Sequence, residues 1–246
     1  KRQSLLLFLF EFVIVIAVLV LSAINIYSHQ QSLTFNAKNS TKALASFAMA
    51  DAERLIYGVS MMFPGINDVI ENKNKDLNHF DPNISALLLS RKNDNPYLMD
   101  LLIVNEQGAI TQWTGQGEVP RVLDREYINV HLNSLSAQKI FIGKPKLSKV
   151  HKNQWFFAAS KPYYYENGKL KRIIVAILDI DFLYKHYLQL ELPEQATVVL
   201  TSSDGVIYTR VPSHQQLVGK QVSVIAEFGP SQQKIKTFLT RSPLDN

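Results

Sequence analysis

The chain has 246 residues, of which 46% are hydrophobic and 19% charged, with a formal net charge of +5. That is ordinary folded-protein composition, with room for one or two domains. It holds no cysteine, which excludes a disulfide framework, thiolate metal sites and a cysteine nucleophile. Its lysines and arginines form no dense run, so the charge reads as a mildly basic surface and nucleic acid is not an expected partner.

Leu5 to Tyr27 is almost entirely apolar, with Glu11 its only charge. A membrane-spanning helix needs about 20 such residues. The apolar part of a cleaved signal peptide runs to only about 7–15, so the segment is expected to span and stay, although Leu21-Ser-Ala23 is a tolerable cleavage site. Lys1 and Arg2 precede it, and positive charge at that end places the N-terminus in the cytoplasm and the rest of the chain outside it. Glu11 either snorkels to the interface or marks a helix–helix contact.

A helical stretch follows, from about His29 to Phe63. Leu44, Phe47, Ala48, Leu55, Val59 and Met62 recur at three- and four-residue spacing and form one apolar stripe. Pro64-Gly65 is expected to break or kink it, and a second stripe continues with Ile66, Val69 and Ile70. Asp81-Pro82 pairs an N-cap with a proline at the first helical position, opening a helix through Leu89. A hairpin is expected from Tyr97 to Trp113, and Asp124 is placed to cap a helix that starts beside it. A short strand, Lys139 to Ile142, precedes two long ones, Trp155 to Tyr164 and Lys171 to Leu178. These flank Asn167-Gly168, the strongest short hairpin signal. Asp179 to Gln189 reads as a helix. The order fits a five-stranded antiparallel sheet with helices packed on it, an α+β module.

One cassette occurs twice. Leu101-Leu-Ile-Val-Asn-Glu-Gln-Gly108-Ala-Ile-Thr111 aligns without gaps with Val198-Val-Leu-Thr-Ser-Ser-Asp-Gly205-Val-Ile-Tyr208, an offset of 97 residues. Each copy is an apolar run, a polar turn ending in glycine and a second β-rich run, hence a hairpin. The offset is about one small domain, so the repeat indicates two tandem modules. The second copy, from about Ala196, has its hairpin (Thr197 to Arg210) and a helix expected at Gln232 to Leu239. It lacks the later strands of the first copy, so this module is expected to be incomplete and the chain to be cut from a longer one.

Asp124-Arg-Glu-Tyr127 with His131, Ile142-Gly143-Lys-Pro145, Trp155, Ser160-Lys-Pro162, Asn167-Gly168, Val175-Ala-Ile-Leu-Asp179 and Asp204-Gly205-Val-Ile-Tyr-Thr-Arg210-Val-Pro212 together resemble double Cache sensor domains. The set is most similar to the extracytoplasmic sensors of bacterial diguanylate cyclases and related sensor kinases. The resemblance implies two PAS-like modules along a long helix, a homodimer, a second membrane helix and a cytoplasmic output. It also implies a small ligand in the membrane-distal module. The expected organisation is a transmembrane helix over 1–27, a signalling helix over 28–64, a distal module over 65–190 and a truncated proximal module over 191–246.

In amino-acid-binding relatives an arginine at the start of the motif helix holds the ligand carboxylate and an aspartate at the end of the last strand holds its ammonium. Arg125 and Asp179 match those places, and they equally form a structural ion pair on a plainer reading. The pattern departs at Tyr127-Ile128, where Trp-Tyr is expected, and at Lys146, where a tyrosine is expected. Losing an aromatic and gaining a cation makes an anionic or carboxylate ligand a reasonable expectation; an amino acid and an amine are also open. Tyr127 and Trp155 are candidates for pocket wall or for core, and His131 for a structural group or a pH-sensitive contact. Lys161 and Tyr163 are further candidates on the following strand. No zinc-protease, nucleophile-elbow or phosphate-loop pattern occurs. No catalytic residue, metal or cofactor is therefore expected. The expected role is that of the sensory part of a transmembrane receptor in the bacterial inner membrane. Cyclase, histidine kinase and chemoreceptor outputs compete, as does an anchored binding protein without output.

Overall fold

The computed structural model describes residues 2–73, 77, 79–133, 139–190, 192, 196–212 and 216–222, with side chains from Phe10 onward. The helix expected at Gln232 to Leu239 lies outside these residues. The described chain falls into two units, which divide between Phe47 and Ala48.

The first unit is helical, the N-terminal part of α1 (Arg2–Asn72). Every described residue from Phe10 to Ala43 is exposed, and an 18-residue window of this helix reaches a mean hydropathy of 2.4. By length and composition this helix is apolar enough to cross a membrane.

The second unit begins at Ala48 and includes the remainder of α1. The helix does not break at Pro64; it runs on to Asn72. Val59, Phe63, Ile66 and Ile70 are fully buried. Their spacing of three and four residues anchors the turns on both sides of the proline, which outweighs the one backbone hydrogen bond it forgoes. α2 (Pro82–Asn93) opens as expected, with the Asp81 carboxylate accepting from the Asn83 and Ile84 amides, and it extends one turn past Leu89.

β1 (Leu98–Asn105), β2 (Ile110–Trp113), β3 (Phe141–Ile142), β4 (Lys146–Leu147), β5 (Trp155–Tyr164) and β6 (Leu170–Asp179) form one antiparallel sheet. Its order is β2-β1-β6-β5-β3, and β4 also pairs with β5. The five expected strands are present, and the two-residue β4 is an addition too short to leave a pattern. α3 (Glu126–Leu132) and α4 (Ile180–Leu188) complete the module.

Strand alternation divides the core in two. Phe157, Ala159, Ile174, Ala176 and Leu178 pack with Val59, Phe63 and Ile66 of α1, Ile84 and Leu88 of α2 and Leu183 of α4. On the other face Phe156, Ala158, Ile173, Val175 and Ile177 pack with Val122, Tyr127 and Ile128 at α3. Among the described residues one face is thus covered by three helices, and the other by one short helix and loops.

The second hairpin is β7 (Val198–Thr201) with β8 (Ile207–Val211). It repeats the first in detail. Gly108 and Gly205 both have positive φ, 79° and 88°. Gly108 donates to the Asn105 carbonyl and Gly205 to the Ser202 carbonyl, each at 3.0 Å. A register shift falls between Ile103 and Val104 and again between Leu200 and Thr201. The hairpin meets the helix-covered side of the large sheet. There the Tyr208 hydroxyl donates to the Gly143 carbonyl at 3.0 Å, Tyr208 lies edge-on to Phe157, and Lys144 pairs with Asp204 at 2.6 Å.

Candidate functional site

The thinly covered face of the large sheet carries a cleft. Its floor is apolar, from Leu102, Phe156 and Ile177 of the sheet with Trp113 beside them. Its rim is charged, because the segments around it bring in Arg121, Arg125 and Lys149, with the His151 imidazole beside them. The cleft is open to solvent, and its free volume is 40 Å³, room for about three waters.

Asp100 organises the cleft. It is the single charge in β1, and its side chain is 5% exposed. Oδ1 accepts from Lys92 Nζ at 3.0 Å and from the Thr114 hydroxyl at 3.1 Å. Oδ2 meets His151 Nε2 at 2.9 Å. Donors from α2, from the end of the first hairpin and from the β4–β5 connection therefore converge on one buried carboxylate, as a buried charge requires.

Arg125 is the N-cap residue of α3 and makes no side-chain capping bond. Its guanidinium lies over the Phe156 ring at 5.7 Å, a cation–π arrangement. Tyr127 packs edge-on to the same ring, and burial pushes its phenol up to about 12, so it stays a protonated donor. Asp124 does not cap α3. Its exposed carboxylate holds Lys149 at 2.8 Å, and that ammonium keeps it below the usual carboxylate range. The chain turns one residue later than the motif alone indicates, so Arg125 takes the cap position.

Of the residues singled out from the sequence, Arg125 and Tyr127 line this cleft. His131 is buried beneath it, sharing a 2.9 Å hydrogen bond with Ser160, and burial holds its pKa below 6.5. Lys146 is exposed on β4. Trp155 packs with the opposite core, against Gly219. Tyr163 packs on that same side, with the Lys161 ammonium 5.6 Å from its ring. Asp179 caps α4, its Oδ1 accepting from the Asp181 amide at 2.9 Å, and burial raises its pKa. Among the described residues no ion pair joins it to Arg125.

Asp100, Arg121, Lys149, His151 and Trp113 were not reached from the sequence. The available signal was Asp100, a lone acid inside an otherwise apolar run. Among the described residues no group of three or more histidines and acids is placed to hold a metal ion.

No protein-family profile matches the chain, and no curated protein sequence matches it. Solved structures do. The extracellular domain assigned to histidine kinase rpHK1S-Z16 superposes with a TM-score of 0.74 at 20% identity, over 87% of this chain and 86% of that one. The ligand-binding domain of the Pseudomonas aeruginosa amino-acid chemoreceptor PctC, in complex with GABA, gives 0.57 at 16%, over 81% and 86%. The periplasmic sensory domain of the Campylobacter jejuni chemoreceptor Tlp1 gives 0.59 at 13%, over 76% of each chain. The chain therefore has the α+β fold of extracellular sensory domains.

Proposed function

We propose that residues 28–246 are the ligand-sensing region of a bacterial transmembrane receptor. In this reading the N-terminus is cytoplasmic, residues 1–27 span the inner membrane and the remainder is periplasmic. The distal module, residues 65–190, binds a small molecule, and the proximal module, residues 191–246, passes the signal on. The observation that carries the reading is the cleft: a buried carboxylate network and an arginine that, among the described residues, pairs with no carboxylate, on the sheet face opposite the long helices. Several proteins of the same fold have been solved with amino acids or GABA bound, which supports a small-molecule ligand here.

The working form is a homodimer whose long helices repack when ligand binds, a shift that needs only different affinities for two packings. The output is a diguanylate cyclase. Histidine kinase and chemoreceptor outputs are the alternatives, and both occur among the proteins of this fold. The test is to express the whole reading frame, intact or as Arg125→Ala, and to measure cellular cyclic di-GMP in defined media. A medium-dependent change in the intact protein, absent in the variant, supports the reading. A cyclic di-GMP level that never responds, alongside ligand-dependent phosphotransfer, moves the output to a kinase.

A further inference from the structure

We propose that the cleft takes a short-chain carboxylate that carries no ammonium group; this rests on the reading of that cleft as the ligand site. The charges around it are lopsided. Arg121, Arg125 and Lys149 line it beside the His151 imidazole, and Asp100 is the single acid among the lining residues.

Asp100 is already committed. Lys92, Thr114 and His151 occupy its two oxygens at 2.9–3.1 Å. A ligand ammonium placed there would face an ammonium and an imidazole already in position. To win the carboxylate it would have to displace one of them from a buried ion pair. The other acids nearby offer nothing more. Asp179 is turned into the α4 cap and is not part of the lining, and Asp124 is exposed and held by Lys149.

The cationic side is incomplete by the same count. Among the described residues Arg125 pairs with no carboxylate, its guanidinium resting on Phe156. A planar fork beside an apolar floor is suited to grip a carboxylate through two parallel hydrogen bonds. Leu102, Phe156 and Ile177 would take a short aliphatic body, and the free volume of 40 Å³ keeps that body small.

The whole chain in nanodiscs carries its own reporter. There are two tryptophans, and Trp155→Phe leaves Trp113 alone, at the cleft. Its fluorescence is titrated at constant ionic strength with matched pairs: acetate and glycine, propionate and alanine, butyrate and GABA, succinate and aspartate. Chloride is the control for anions in general. At least one acid is expected to bind at least about tenfold more tightly than its amino partner. Arg125→Ala is expected to weaken that acid by about tenfold or more, and Arg125→Lys, which keeps the charge and loses the fork, by less. Melting curves of both variants establish that they are folded. An amino partner that binds as tightly as its acid, and still depends on Arg125, overturns the carboxylate proposal and leaves the site standing. Binding that ignores Arg125 overturns the site itself. No response to any acid beyond that to chloride overturns the proposal.

Discussion

Asp179 and His131 are both ligand-contact candidates from the sequence, and local bonding gives each a structural role. Asp179 accepts the Asp181 amide at 2.9 Å. Asparagine caps a helix about as well as aspartate and alanine does not. Asp179→Ala is therefore expected to lower stability by about 1 kcal/mol, and Asp179→Asn by only a few tenths. Urea denaturation checks it, and equal losses from the two changes would rule out the cap. For His131, burial holds the folded pKa below 6.5. Between that lowered value and the unfolded one the unfolded chain binds more protons, so stability falls as pH drops through this window and is complete above it. The melting temperature of the parent should decline from neutral to mildly acidic pH more steeply than that of His131→Gln, which retains a partner for Ser160. Parallel profiles would show that His131 does not set the acid limit.

At the scale of elements, the two hairpins show how closely sequence constrains local geometry. Turn glycine, carbonyl partner and register shift all recur at the spacing read from the repeated cassette. Gly108 and Gly168 share a φ of +79°, so an alanine at either meets the same backbone strain. They differ in surroundings: a Cβ on Gly108 would run into the Leu123 side chain, whereas one on Gly168 would meet nothing within 4 Å. Gly168→Ala is expected to cost about 1–2 kcal/mol and Gly108→Ala measurably more. Equal costs in chemical denaturation would mean that Leu123 moves aside freely. The strands, the cap at Asp81 and the helix stripes were legible because each depends on a periodicity or a turn preference within a few residues; the cap at Asp179 was not among them, and the one expected at Asp124 does not form. The passage of α1 through Pro64 was not legible. It depends on Phe63, Ile66 and Ile70 finding a sheet contributed by residues far along the chain. The cleft was legible only at Arg125 and Tyr127. Trp155, Lys161 and Tyr163 share the parity of Phe157 on β5 and fall on the helix-covered side, but nothing local says which parity faces a ligand. Asp100, Lys149 and His151 become neighbours only when separate segments converge.

At the scale of the α+β unit, the second hairpin is fastened to the sheet at the turn after β3. The Tyr208 hydroxyl reaches the Gly143 carbonyl at 3.0 Å in a buried setting, and burial pushes that phenol up to about 12, so it remains a donor throughout the physiological range. Tyr208→Phe keeps the ring against Phe157 and removes the one donor. The expected loss is about 1 kcal/mol, read in thermal unfolding. A variant as stable as the parent would mean that water replaces the hydroxyl.

β5 carries both assignments on one short stretch of chain. Phe156 forms the cleft floor, while its neighbours Trp155 and Phe157 meet Gly219 and Tyr208 on the reverse side. The cleft floor and the contacts to the second hairpin thus fall on alternate residues of the same strand. Such interleaving lets the two faces diverge independently: changes confined to the cleft parity alter the cleft and leave the contacts to the second hairpin intact. On the function proposed above, that separation makes the chain a chassis for biosensors, in which libraries at Leu102, Phe156 and Ile177 would be screened for new ligands without touching the hairpin contacts.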